Sequence, residues 1–125
     1  MNECILVVDD DREIVKAIAI LLEKEGYVVL RAYDGLEALD MLASNQVQLL
    51  IMDVMMPVID GLEATKAIRE LEREDAKKIP IIAMTANAFE EDRKACLDAG
   101  MDEHIGKPID FPLLKSAILK MLAIS

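Results

Sequence analysis

Residues 49–53 read LLIMD, four large apolar side chains in succession and then a carboxylate. A strand with one face in water alternates apolar and polar residues. An unbroken apolar run therefore belongs to a strand covered on both faces, as in a parallel sheet between two layers of helices. Asp53 then closes the strand at its carboxyl end, where the ligand crevice of an open α/β sheet lies.

The rest of the chain repeats this unit. Residues 4–8 form a first strand; Asp9, Asp10 and Asp11 follow it and open a helix with the apolar stripe Ile14, Ile18, Leu21 and Leu22, stopped by Gly26. Residues 27–32 form a second strand. Asp34 and Glu37 have the capping-box spacing ahead of a helix carrying Leu36, Leu39, Leu42 and Ala43, and the third strand is the opening run itself. Asp60 and Glu63 repeat the device ahead of a helix burying Ala64, Ala67, Ile68 and Leu71. Charged and polar residues then lead to Pro80 and a fourth strand at 81–84. A fourth helix runs from about Phe89 to Ala99, closed by Gly100, and a short fifth strand covers 103–105. After Lys107 and Pro108 the last helix sets Leu114, Ala117, Ile118, Met121 and Leu122 at helical spacing. Five βα units in 125 residues, with no linker or repeat, predict one domain over 1–125. Right-handed crossovers then require a parallel sheet with helices on both faces.

Charge excludes some functions. Fourteen basic residues against 24 acidic give a net charge of −10, which argues against direct binding to nucleic acid or to an anionic membrane surface. The start, MNEC, is not basic, and the apolar run after it is too short for a signal peptide or a membrane span, so a cytosolic protein is expected. Cys4 and Cys96 lack metal-ligand spacing, and no disulfide is expected. The eight methionines are scattered and read as core filling.

The polar residues at strand ends carry the chemistry. Asp9 and Asp10 follow strand one, Asp53 ends strand three, Thr85 follows strand four and Lys107 follows strand five, so all five face one crevice. Carboxylates about 4 Å apart repel by roughly 1 kcal/mol per pair in water and about 4 kcal/mol at an effective dielectric of 20. Such a cluster calls for a cation. Oxygen ligands with open positions suit Mg²⁺, which keeps several waters and takes up phosphate oxygens. Lys107 supplies a fixed positive charge and Thr85 a hydroxyl donor.

The segments ILVVDDD, IMDVMMP, AMTAN and GKP, in that order, resemble the receiver domain of two-component response regulators, and the resemblance covers essentially the whole chain. It implies a flavodoxin-like (βα)5 doubly wound sandwich with strand order 2-1-3-4-5. It implies that Asp53 is the phosphoacceptor, taking its phosphoryl group from the phosphohistidine of a histidine kinase or histidine phosphotransfer domain. It further implies Mg²⁺, with Mn²⁺ as an alternative, held by Asp10, Asp53 and the backbone carbonyl of Met55, with Asp9 acting through water. Thr85 and Lys107 match the pair that binds the phosphoryl oxygens, and the Lys107–Pro108 bond is expected cis. Such a domain modifies only itself and is not a turnover enzyme. Members often have Tyr or Phe three residues before the lysine as a switch residue that moves with the threonine; here that position is His104. The resemblance places kinase contacts on the first helix, at Arg12, Glu13, Lys16 and Ile20. It places the switching surface on the fourth helix, fifth strand and fifth helix, where Glu90, Asp92, Arg93, Lys94 and Lys115 could meet a second receiver or an output partner.

Three rivals are distinguishable. The DxD within Asp9–Asp11 also occurs in Mg²⁺-dependent phosphatases with an aspartyl nucleophile, but those usually need a longer chain and a further acidic pair after the lysine. A flavin carrier needs a phosphate loop after strand one, where three aspartates would repel the phosphate. A degenerate receiver acting only as an interaction module would normally have lost part of the acidic site, and all five key positions are present here.

Overall fold

The computed structural model describes residues 3–56, 59–71, 74–86 and 90–124. The strands are β1 (Cys4–Val8), β2 (Val28–Ala32), β3 (Leu49–Asp53), β4 (Ile81–Thr85) and β5 (Glu103–Gly106). The helices are α1 (Arg12–Lys24), α2 (Gly35–Ser44), α3 (Gly61–Arg69), α4 (Glu74–Lys78), α5 (Glu90–Ala99) and α6 (Phe111–Ile124). The strands form one parallel sheet in the order β2-β1-β3-β4-β5, as expected.

Each central strand feeds two cores. Leu50 and Met52 pack with Leu6, Val8, Ile81 and Ala83 on one face, under residues of α2, α3 and α5. Leu49 and Ile51 pack with Ile5, Val7, Ile82 and Met84 on the other, under α1 and α6. All four apolar residues of β3 are completely buried, each worth about 1.5–3 kcal/mol in transfer free energy. The unalternating run thus has the two-sided burial that its composition required.

Helix termini follow the sequence signals. The side chain of Asp11 accepts from the backbone N–H groups of Glu13 and Ile14, and Asp60 forms a full capping box with Glu63. At α2 the device is altered: Asp34 accepts from Glu37 N–H at 2.7 Å, while the Glu37 carboxylate takes the N–H of Tyr33. Gly26 and Gly100 follow α1 and α5 with φ of 97° and 109°, a left-handed turn that glycine adopts without a Cβ penalty.

Several expectations need correction. The buried stripe of α1 is Val15, Ile18, Ala19 and Leu22, while Leu21 is exposed and Ile14 half-buried, because IVKAIAILL is apolar on two adjacent faces and periodicity alone does not choose between them. In α2 the buried residues are Gly35, Ala38 and Leu42, leaving Leu36 and Ala43 in solvent. β2 starts at Val28, one residue later than expected, and β4 and β5 each run one residue further. The polar stretch before Pro80 contains α4. A five-residue helix is too short to hold alone. Arg69 secures it: its Nη1 donates to the carbonyls of Ala76 and Ile79 at 3.1 and 2.7 Å, and its Nε and Nη2 donate to Gly100 O. The fourth and fifth helices of the sequence reading are therefore α5 and α6. Pro57, Asn87 and Phe89 lie outside the described residues, as do the side chains of Glu90 and Asp92.

Candidate functional site

Register sets the geometry of the site. β1 and β3 are paired with Val8 opposite Met52, so the next residues, Asp9 and Asp53, stand side by side at the strand ends. Both are buried, at 0% and 3% exposure. Asp10, one residue on, is exposed, and carboxylate oxygens of Asp9, Asp10 and Asp53 lie within 4.8 Å of one another. β4 and β5 are paired with Thr85 opposite Gly106, which brings Lys107 to the same end of the sheet. The Lys107 N–H donates to Thr85 O at 2.8 Å, and the Lys107–Pro108 peptide is cis, as expected. Lys107 Nζ sits between the two buried carboxylates, 2.9 Å from Asp9 Oδ2 and 3.2 Å from Asp53 Oδ1.

Burial and charge act in opposite directions here. Burial, reinforced by the neighbouring Asp9 charge, raises Asp53 to about 6, against the pull of Lys107 and the backbone N–H of Met55. Burial also raises Asp9, opposed by the N–H of Asp11 and by Lys107. For Lys107 burial alone would lower the pKa, but its ion pair with Asp9 and the Asp53 charge outweigh that, so the ammonium is held above its ordinary value.

The donor set fits a hard divalent cation. Three carboxylates against one ammonium leave the cluster net negative. Asp9 Oδ2 is fully buried and accepts no hydrogen bond, since Lys107 approaches it as an ion pair without hydrogen-bond alignment. Oxygen donors with one exposed carboxylate at the rim suit Mg²⁺ better than a soft metal.

The structure therefore brings together Asp9, Asp10, Asp53 and Lys107, with Thr85 buried at the adjoining strand end. Met55 is 71% exposed, so its link to the site is its backbone, whose N–H favours the anionic form of Asp53. His104 stands on β5, three residues before Lys107. It is opposite Ala83 on β5, half-buried, with Nδ1 3.9 Å from Glu103 Oε1, and it borders a cavity of about 130 Å³ with Arg93, Cys96 and Lys120.

Two features at the rim escaped the sequence reading. The Arg12 guanidinium lies 4.0 Å from the centroid of the Tyr33 ring, a stacking that no local motif announces. Gly61 occupies the first position of α3, and its only sequence signal is a poor helix former placed directly after a cap.

A family model described as the response regulator receiver domain matches residues 5–119. Response regulator MprA of Mycobacterium bovis (strain BCG / Pasteur 1173P2) is 44% identical over 108 residues, covering 86% of this chain and 45% of its own. The chain thus spans about half the length of the curated relatives it matches. A response regulator structure from Chloroflexus aurantiacus superposes with a TM-score of 0.91 at 32% identity, covering 98% of this chain and 99% of that one. The receiver domain of sensor histidine kinase PA1611 from Pseudomonas aeruginosa, which holds a magnesium ion in its active site cleft, gives a TM-score of 0.87 at 33% identity, with 98% and 99% coverage.

Proposed function

Because this chain belongs to the response regulator receiver domain family, we propose that Asp53 accepts a phosphoryl group from the phosphohistidine of a histidine kinase or histidine phosphotransfer domain. The observation that carries this reading is the buried Asp53 carboxylate at a strand end, within 4.8 Å of two further carboxylates and bonded by one lysine. With its pKa near 6, Asp53 is mostly ionised at neutral pH and needs no general base to act as nucleophile. A carboxylate oxygen forms the new O–P bond as the P–N bond of the donor breaks. The electron pair returns to the imidazole nitrogen.

Asp9, Asp10, Asp53 and the backbone carbonyl of Met55 are the proposed holders of Mg²⁺, for which Mn²⁺ can substitute. Bound there, the ion would neutralise charge on the phosphoryl oxygens. The Lys107 ammonium and the Thr85 hydroxyl engage the same oxygens from the other strand ends. The Asp53 carboxylate thereby exchanges its lysine contact for a phosphoryl group that the lysine can still reach.

Docking is assigned to α1, whose Arg12, Glu13, Lys16 and Ile20 are all exposed. Beside them Ile14, Ala17, Leu21, Pro108 and Phe111 line an apolar cavity of about 230 Å³ next to Lys107. Output is assigned to α5, β5 and α6, with Thr85 and His104 as switch residues and a second receiver or a target protein as partner. No nucleic acid or membrane contact is proposed, and the domain acts in the cytosol; among the described residues no helix is long and apolar enough to cross a membrane.

The test is intact mass after incubation with acetyl phosphate. One added phosphoryl group per chain, dependent on Mg²⁺ and absent in Asp53→Asn, is the expected result. Multiple turnover of a phosphate ester without a stable adduct would indicate a phosphatase instead.

A further inference from the structure

Two glycines make contacts with the phosphoacceptor region that a Cβ would obstruct. Gly61 opens α3, and its N–H donates to Val54 O at 2.8 Å. A Cβ at Gly61 would stand 2.9 Å from Val54 Cα and closer still to the carbonyl oxygen of Asp53. These are backbone atoms that cannot swing away. The contact is braced from inside the helix, where the buried Thr65 hydroxyl donates to Gly61 O at 2.7 Å. On the other side of the same connection, Gly35 opens α2, and a Cβ there would meet Ile59 Cγ1 at 2.5 Å and Ile59 O at 3.1 Å. Both glycines are buried. The end of this connection is therefore gripped on two sides, Ile59 by the first residue of α2 and the Asp53–Val54 backbone by the first residue of α3, and two residues beyond Asp53 stands Met55, whose backbone N–H favours the Asp53 anion.

We propose that Gly61 and Gly35 are positioning residues for phosphoryl acceptance: by letting α3 and α2 close onto Asp53 and Ile59, they fix Met55 against the Asp53 carboxylate. This deepens the phosphoacceptor reading and rests on it. The helix starts are capped normally by Asp60 and Asp34, so glycine at the next position is not a capping requirement.

The two contacts differ in a way that permits a test. At Gly61 the obstacle is backbone and nothing can be trimmed. At Gly35 the nearest obstacle is the Ile59 side chain, which can be shortened. The experiment compares the unmodified chain with Gly35→Ala, Ile59→Ala and the double variant, each first checked for a cooperative melt. Three quantities are read: the Met55 amide resonance in metal-free protein, the Mg²⁺ dissociation constant by amide NMR titration, and the maximal rate of phosphorylation by acetyl phosphate. Gly35→Ala is expected to shift the Met55 amide, weaken Mg²⁺ binding and slow the maximal rate by roughly tenfold to a hundredfold, the scale of a reacting group displaced by about 1 Å. The double variant should recover most of this loss. A Gly35→Ala protein with unchanged Met55 resonance and Mg²⁺ affinity overturns the proposal, as does a loss that the double variant does not recover. If the unmodified chain binds Mg²⁺ but takes up no phosphoryl group, the phosphoacceptor reading has failed; the first two readouts still decide whether the glycines position the site.

Discussion

At Asp53 one carboxylate is pushed two ways. Burial and the adjacent Asp9 charge favour the protonated acid, and Lys107 with the Met55 N–H favours the anion; the first pair wins, raising the pKa from 3.8 to about 6. A carboxyl group whose pKa is raised on folding binds more protons in the native state than in the unfolded chain between those two values. Its contribution to metal-free stability is therefore greatest below about pH 4 and falls as pH rises to about 6. Asp53→Asn lacks this slope, so in metal-free buffer it should be more stable than the parent at neutral pH by on the order of 3 kcal/mol, and the difference should vanish near pH 4. Chemical denaturation of both proteins between pH 4 and 7.5 checks this, and parallel stability curves would remove the strain from the site. At this scale the sequence was informative about identity and silent about distance. Asp9, Asp53, Thr85 and Lys107 are legible because each is the first polar residue after an apolar run, and Asp10 because it directly follows Asp9. That one lysine spans both buried carboxylates depends on strand register, and the Gly61 contact depends on where α3 lies; neither leaves a local pattern in the chain.

The elements show where periodicity suffices and where it does not. In the last helix Leu114, Ile118 and Met121 are buried as expected, although Leu113 and Leu119 make α6 apolar on its exposed side as well. On α1, with apolar residues on two faces, the stripe was displaced by one position: Leu21 turns out to line the surface cavity beside Pro108 and Phe111. α4 leaves no periodic signal because its five residues, though mostly good helix formers, are too few to show an apolar stripe, and it is held by Arg69 from another helix. The same α1 carries the element-scale prediction. On the proposed function a phosphohistidine would reach Asp53 in line, with its carrier on the rim of the crevice, where Arg12, Glu13, Lys16 and Ile20 are exposed. Exchanging these four residues for those of a non-cognate receiver should redirect phosphotransfer among a panel of kinases by tenfold or more, equivalent to about 1.4 kcal/mol, while the acetyl phosphate rate stays unchanged. Kinase preference that survives the exchange would place docking elsewhere.

For the whole molecule, topology was the most legible property. Strands alternating with helices permit few arrangements, and the parallel order β2-β1-β3-β4-β5 delivers the ends of β1, β3, β4 and β5 to one crevice. Individual strand limits mattered less than this order, since an error of one residue left every key side chain at the same end of the sheet. The molecule also concentrates like charge within a chain of net charge −10, so a cation that binds only the folded state should stabilise it. Mg²⁺ at a hundred times its dissociation constant is expected to add about 2.7 kcal/mol and raise the melting temperature, whereas Na⁺ at equal ionic strength should not reproduce the effect. Equal responses to the two ions would indicate general screening rather than a site. The central claim is narrower than stability: that Asp53 is the residue that carries the phosphoryl group. An aspartyl phosphate is reduced by borohydride to homoserine, so the position can be read by peptide sequencing in a mass spectrometer after treatment with acetyl phosphate and Mg²⁺. The account predicts homoserine at position 53 alone, formed with Mg²⁺ and lost with a chelator. Homoserine at position 9 or 10, a phosphoryl group on another residue, or labelling that ignores the chelator would contradict it.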